Sequence, residues 1–244
     1  MKNISDAQLI ESYSQLCSIL QSTIRNHAPD DKQIKILEAG CGQRWDINLP
    51  GVDYHLTGID MDSAALEIRK SKTKDLDETI LGDLRSVDLG GRQFDVIYNS
   101  FVLEHVEGAE MVLRQFVDWL VPGGIIILRI PDQHSAKGFM TKVTPHWFHV
   151  VYYRYFLGNK DAGKPGYVPY PTYYDRVVSR EGIREFAARH GLSVIEEFAD
   201  AHKPGKGFKK AALQMIVIAT NIISMGSLSA RHSNLLYVLK RTTA

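Results

Sequence analysis

Two glycines spaced Gly-x-Gly close the stretch Ile34 to Gly42 (IKILEAGCG), directly after an apolar run that ends in the acidic residue Glu38. Glycine at such a point lets the backbone turn sharply off a strand end and approach a bound molecule more closely than any Cβ would permit. A second apolar run, Leu56 to Asp62 (LTGIDMD), brings the carboxylate of Asp60 about 20 residues after the glycines, the spacing at which open α/β sheets hold ribose hydroxyls. The two runs together describe a site for a ribose-bearing molecule, with backbone on one side and a carboxylate on the other. Gly-x-Gly alone is a weak pattern, and the dehydrogenase form Gly-x-Gly-x-x-Gly is absent because Trp45 fills its last place.

Three further segments follow in order. They are Gly82-Asp83-Leu84, then Phe94 to Ser100 (FDVIYNS) running on into FVLEHV, then Val121-Pro122-Gly123-Gly124 ahead of the apolar run Ile125 to Ile130. This ordered set of five, from Ile34 to Pro131, resembles the class I S-adenosylmethionine-dependent methyltransferases of the small-molecule, type 11-like kind. The family's third glycine is here Arg44. The resemblance implies S-adenosylmethionine as methyl donor and S-adenosylhomocysteine as product. It implies that Gly40 and Gly42 approach the methionine part of the donor, with Glu38 near its amino group. Asp60 then takes the ribose hydroxyls, Met61 lies against the adenine, Asp83 and Leu84 meet the adenine edge, and Asn99 and Ser100 end a strand beside the sulfonium.

Methyl transfer from a sulfonium is an in-line displacement that needs no protein nucleophile. The enzyme must align methyl and acceptor, exclude water and, for a hydroxyl acceptor, remove a proton. His105 titrates near neutrality and is a candidate base, with a structural hydrogen bond at the turn as the alternative. His134, His146 and His149 compete with it. No metal is expected, since His146-x-x-His149 lacks a carboxylate pattern beside it. Tyr152, Tyr153, Arg154, Tyr173 and Arg176 are candidate acceptor-binding residues, and with Lys160 and Lys164 they suit an anionic or aromatic small molecule; Asp175 is an alternative partner for Arg176.

The elements that must position these groups alternate between strand and helix. Strands are expected at 34–38, 56–60, 78–82, 94–99, 124–130, 192–197 and 234–240, and helices at 63–70, 108–120, 180–190 and 209–225. The pattern predicts an α/β, Rossmann-like, doubly wound, seven-stranded and mostly parallel sheet in one domain over 1–244. Right-handed crossovers bring the loops after the first, second and fourth of these strands to one edge. Asp62 and Asp83 have helix capping as an alternative role. Leu9, Tyr13, Leu16, Leu20 and Ile24 follow helical spacing, so an N-terminal helix is expected within 1–28, with Ser5 and Gln8 as a capping box.

The rhythm breaks from Pro131 to Ser179. This stretch is too long for an ordinary crossover, and it holds ten aromatic residues between Trp147 and Tyr174, which suggests a lid or substrate-binding insertion after the fifth strand, with packing in a satellite core as the alternative. The uncharged run Ala211 to Met225 is too short to span a bilayer. It reads as a buried crossover helix, with transient contact to a membrane surface as the alternative.

Residues 1–130 carry 13 Lys and Arg against 20 Asp and Glu, whereas 131–244 carry 16 against 8, so a near-neutral chain has a basic second half. That polarity keeps RNA or protein methylation as an alternative. The absence of an Asn/Asp-Pro-Pro-Tyr tetrapeptide argues against nucleic acid as the acceptor. A non-catalytic nucleotide-binding protein is the remaining alternative, opposed by acidic residues at all three cofactor positions. Two cysteines, Cys17 and Cys41, make no disulfide framework, and the N-terminus has no continuous apolar leader, so a cytoplasmic protein is expected.

Overall fold

The computed structural model describes residues 8–27, 32–45, 47–155, 158–164, 169–201 and 208–243, with backbone only for 208–213. Among the described residues eight strands form one sheet: β1 (Gln8–Ile10), β2 (Ile34–Ala39), β3 (Tyr54–Asp60), β4 (Glu78–Leu81), β5 (Phe94–Ser100), β6 (Leu120–Pro131), β7 (Leu192–Ala201) and β8 (His232–Arg241). Their spatial order is β1-β7-β8-β6-β5-β2-β3-β4. Only β8 runs antiparallel to its neighbours, β6 and β7. Strand β5 is buried over its first six residues and β2 over its last four, as apolar runs covered on both faces must be.

Alternate residues of the central strands feed two cores. One, with Leu37, Ile97 and Leu128, packs beneath α3 (Ala109–Trp119) and α6 (Arg180–Arg189); the other, with Ile36, Val96 and Ile127, packs beneath α1 (Tyr13–His27). The chain leaves β2 toward β3 and β4 on one side and returns as β5 on the other. This reversal of winding opens the crevice at the carboxyl ends of β2 and β5, where such sheets bind ligands.

Three elements differ from expectation. The sheet has eight strands rather than seven, because Gln8–Ile10 pairs in parallel with Phe198 to Asp200 at the sheet edge. Leu9 therefore faces one core and Ile10 the other, as strand alternation dictates, and α1 starts only at Tyr13. The cap shifts with it. Ser12 Oγ accepts from the Gln15 amide at 3.1 Å, and Gln15 Oε1 accepts from the Glu11 amide at 2.7 Å; Ser5 and residue 28 lie outside the described residues.

Between β2 and β3 no helix forms among the described residues. Trp45, which stands near the family's missing glycine, meets Tyr98 edge-on at 5.8 Å between ring centroids, and Ile47 and Leu49 are buried beside it. A bulky side chain thus fills the space that a helix packed closely on the sheet would take.

The uncharged run forms α7 (Phe208–Ile223) but is not buried. Of its side chains from 214 onward only Val217 is enclosed. Within the insertion lie α4 (Ala136–Val143) and α5 (His146–Tyr155). Its root is clamped by Asp132, whose carboxylate is fully buried and accepts from the Arg180 guanidinium and from His232 Nε2 at 2.7 Å.

Candidate active site

Gly40 and Gly42 both hold positive φ, 74° and 55°, in the turn that leaves β2. A Cβ on Gly40 would stand 2.4 Å from Val102 Cγ2, so this glycine is fixed by close packing as well as by its backbone angle. Beside Gly42 nothing lies within 4 Å of a built Cβ, so the loop borders open space. At the end of β3 the Asp60 carboxylate accepts from the Gly42 amide at 2.7 Å and from the Asp62 amide at 2.9 Å. The glycine loop and the acid chosen from sequence are thus in direct contact. Each carboxylate oxygen retains a lone pair for a further donor. Met61 beside it is 67% exposed, and Asp62 caps α2 (Ser63–Ile68), accepting from Ala64 and Ala65.

Glu38 sits beneath the loop rather than in the open. Its carboxylate takes the fully buried Arg69 guanidinium at 2.8 Å, and Arg69 also donates to Asp75 at 2.7 Å and to the Cys41 carbonyl at 2.7 Å. Asp75 in turn accepts from the Trp45 amide at 3.1 Å. Arg69 thereby ties the floor, the turn and the exit of the glycine loop together. Burial, reinforced by the charges of Glu38 and Asp60, pushes the Cys41 thiol up to about 12 and leaves it un-ionised.

Asp83 pairs with Arg85 at 2.6 Å, which holds its carboxyl below the usual range, while Leu84 is buried in the core. Asn99 is fully buried, and its Nδ2 donates to the Ala39 carbonyl at 2.8 Å, locking β5 to β2. Its Oδ1 has no hydrogen-bond partner among the described residues. Ser100 Oγ lies 3.4 Å from Arg129, whose guanidinium covers the Phe101 ring at 4.7 Å. Phe101 itself has φ 57°, a strained left-handed conformation for a bulky residue at the strand's end.

The turn after β5 presents Glu104 and His105. The His105 Nδ1 lies 2.7 Å from the Pro171 carbonyl, and since a carbonyl only accepts, Nδ1 carries the proton and Nε2 keeps its lone pair. Burial pushes the His105 pKa below its ordinary value. Tyr170 meets the imidazole edge-on at 5.7 Å and feels the charges of Asp62 and Asp60, and the Tyr173 amide donates to the Glu104 carbonyl at 2.9 Å. The return leg of the insertion therefore runs between the post-β5 turn and the acids Asp60 and Asp62 at the end of β3.

The other candidates divide. His146 lies close enough to His105 to lower its pKa. His149 Nε2 is engaged by Thr144 Oγ1 at 2.9 Å and by the Thr141 and Thr144 carbonyls, closing the α4–α5 junction. His134 is exposed at the insertion root. Tyr152 and Tyr153 are half-buried and meet edge-on, and Arg154 donates to the Ala162 carbonyl at 2.9 Å. Arg176 turns to Glu185 at 3.0 Å rather than to Asp175, which instead accepts from the Ala109 amide at the start of α3.

Sequence reasoning missed Arg69, Arg129, the Asp132–Arg180–His232 cluster and Glu104. Glu104 is 4% exposed and its Oε2 has no partner among the described residues. Its adjacency to His105 was the available signal. No group of three or more His, Cys, Asp and Glu among the described residues is arranged to hold a metal.

A mostly parallel sheet wound in this order, with a glycine turn and an acid meeting at its carboxyl edge, defines the class I methyltransferase fold. The methyltransferase-domain profile matches residues 11–197, and the chain belongs to that family of S-adenosylmethionine-dependent methyltransferases. Phosphoethanolamine N-methyltransferase 1 of Arabidopsis thaliana is 28% identical over 42% of this chain and 23% of its own length. Demethylmenaquinone methyltransferase of Staphylococcus haemolyticus (strain JCSC1435) is 30% identical over 47% and 52%. The chain thus spans about a quarter to a half of these relatives' length. The N-methyltransferase NodS from Bradyrhizobium japonicum WM9, solved with S-adenosyl-L-homocysteine, superposes with a TM-score of 0.53 at 13% identity, covering 95% of this chain and 88% of that one.

Proposed function

We propose that the chain methylates a hydroxyl group of a small-molecule acceptor, with His105 as the base and the insertion from Pro131 to Ser179 as a lid over the site. The carrying observation is the hydrogen bond from His105 Nδ1 to the Pro171 carbonyl, which leaves Nε2 as a proton acceptor. The residues at the sheet edge fit S-adenosylmethionine. The space beside Gly42 is open, Asp60 keeps acceptor capacity, and Met61 is exposed next to it. When bound, this donor supplies an electrophilic methyl group on a sulfonium.

In this reading the Gly40–Gly42 backbone and Asp60 hold the donor. Met61, Asp83 and Leu84 border its base, and Asn99 and Ser100 face the transfer axis from the end of β5. Glu38 acts from below, because Arg69 already satisfies its carboxylate. His105 Nε2 takes the acceptor's proton, while Tyr170, Tyr173 and the half-buried Tyr152 and Tyr153 cover the acceptor and exclude water. A neutral imidazole would equally take a proton from an ammonium, and the N-methyltransferase names of several relatives make nitrogen the second reading.

A panel of hydroxyl, amine and carboxylate acceptors incubated with S-adenosylmethionine, and read for the mass gain of one methyl group, tests the proposal. Turnover confined to amines or carboxylates would reject oxygen as the site of transfer. Failure to bind S-adenosylhomocysteine would reject the donor assignment.

A further inference from the structure

Helix α7 is built inside out. Its outward arc carries Met215, Ile216, Ile218, Ala219, Ile222 and Ile223, all exposed, with Ile223 at 81%. Polar residues lie toward the packed side instead. Thr220 Oγ1 donates to the Ile216 carbonyl, and Asn221 Nδ2 donates to the Leu228 carbonyl at 2.6 Å. An ordinary surface helix buries its apolar stripe, so this face is shaped to be covered by something outside the chain.

The charge around α7 narrows what that covering is. From Gln133 to Lys160, the stretch that holds α4 and α5, the sequence has four Lys and Arg and no Asp or Glu, and from Ala201 to Ser233, the stretch that holds α7, it has five and none. Helix α4 packs against α7, and it adds exposed Phe139 and Val143 beside exposed Lys137 and Lys142. A second copy of the chain would bring cations against cations across this face. An anionic lipid surface matches both the apolar arc and the positive rim.

Orientation fits the same occupant. At about 1.5 Å per residue the 16 residues of α7 fall short of a hydrocarbon core of about 30 Å, and no helix among the described residues is long and apolar enough to cross a membrane. The helix therefore lies in the plane of the interface. It follows β7 in the chain and packs on α4, and the loop after it is tied, through the Ala136 amide to Ser229 carbonyl bond of 2.7 Å, to the start of α4 just past the end of β6. The face is thus on the carboxyl edge of the sheet, the edge that carries Gly40 and Asp60.

We infer that the outward face of α7, with the adjoining cationic rim of α4, docks this protein reversibly onto an anionic lipid bilayer. The inference stands whatever the acceptor is. The test is sedimentation of the 244-residue chain with vesicles of phosphatidylcholine alone and of phosphatidylcholine with phosphatidylglycerol. The chain pellets with the mixed vesicles, and raising the salt toward 1 M weakens this by about tenfold or more. The double substitution Ile222→Glu with Ile223→Glu lowers vesicle affinity by at least about tenfold and leaves S-adenosylhomocysteine binding and the melting curve unchanged.

Should that variant melt early, Lys137→Gln with Lys142→Gln reads the charge half alone and weakens binding to the mixed vesicles. No sedimentation of the wild-type chain, or variants that pellet like wild type, overturns the inference. So does a concentration-dependent doubling of mass in light scattering that Ile222→Glu with Ile223→Glu abolishes, which would assign the face to a second copy.

Discussion

The Nδ1 of His105 lies 2.7 Å from the carbonyl oxygen of Pro171, so one hydrogen bond joins the turn after β5 to the returning leg of the insertion. It fixes the imidazole tautomer and couples it to the segment that crosses the site. Substituting His105→Asn keeps an N–H for Pro171 but removes the basic Nε2, and the expected result is a fall in kcat of about 10²-fold with S-adenosylhomocysteine affinity unchanged. Burial holds the His105 pKa below its ordinary value of 6.5. The base form is therefore dominant at pH 7, and kcat/KM should rise only below about 6.5 and stay flat above it. A rising limb centred above pH 7 would move the base role to another group.

Asp60 braces the Gly42 and Asp62 amides, and in the proposed function it also offers acceptors to the ribose. Asp60→Ala removes both and should weaken donor binding by about 1.5 to 3 kcal/mol, measured by calorimetric titration. Asp60→Asn keeps a carbonyl acceptor without the charge and should fall between. Wild-type affinity in Asp60→Ala would show that β3 does not end at the ribose.

The Arg69 network predicts an asymmetry between two substitutions. Arg69→Met leaves Glu38 buried without its ion-pair partner and frees the Cys41 carbonyl, so urea unfolding should show a loss of about 3 to 5 kcal/mol. Lysine has one point charge where three fork contacts are made, so Arg69→Lys should recover only part of this. Full recovery by lysine would mean that charge alone, not the fork, holds the loop.

Much of this fold was legible because its signals are local. The runs IKILEAGCG, LTGIDMD and FDVIYNS are apolar, short and punctuated, and each became a strand, the first two with their glycines or acid at the carboxyl edge and the third with Asn99 and Ser100 there. Long-range pairings were not legible. Nothing in the sequence places Arg69 under Glu38, 31 residues away, or Arg176 against Glu185. Helical spacing also misassigned Leu9, since a three-residue edge strand draws its stability from β7 and not from its own pattern. Helix α7 was misread because apolar content argues for burial only when the face that carries it packs inward.

The return leg of the insertion should tighten when both ligands are present, because Tyr170 and Tyr173 sit on the segment tied to Glu104 and His105. Tyr170→Ala or Tyr173→Ala should lower kcat/KM for the acceptor by about tenfold or more and leave S-adenosylhomocysteine affinity within a few-fold. Cleavage by a protease between Gly158 and Gly166 should slow when donor product and acceptor are added together. Unchanged cleavage and kinetics would make the insertion a fixed cap.

Glu104 gives the fold a pH dependence whose sign follows from its burial. Removal from water, with Oε2 unpartnered among the described residues, pushes its carboxyl up to about 7 from an ordinary 4.5. Between those values the folded chain holds a proton that the unfolded chain has lost. The stability it contributes is therefore fully present below about pH 4.5 and is lost as pH rises through about 7, a change of about 3 kcal/mol. Asp83 and Asp132 have depressed carboxyl pKa values and act in the opposite direction, but only as pH falls below 3.8. His105, whose pKa burial lowers, also acts in the opposite direction below about 6.5, so the difference in urea midpoint between wild type and Glu104→Gln isolates Glu104, and that difference should shift against wild type as pH rises from about 4.5 to 7. Glu104→Gln, which cannot ionise, should escape this loss and be more stable than wild type at pH 8. An equal slope in both proteins would place a compensating charge beside Glu104 and withdraw its claim to a proton at neutral pH.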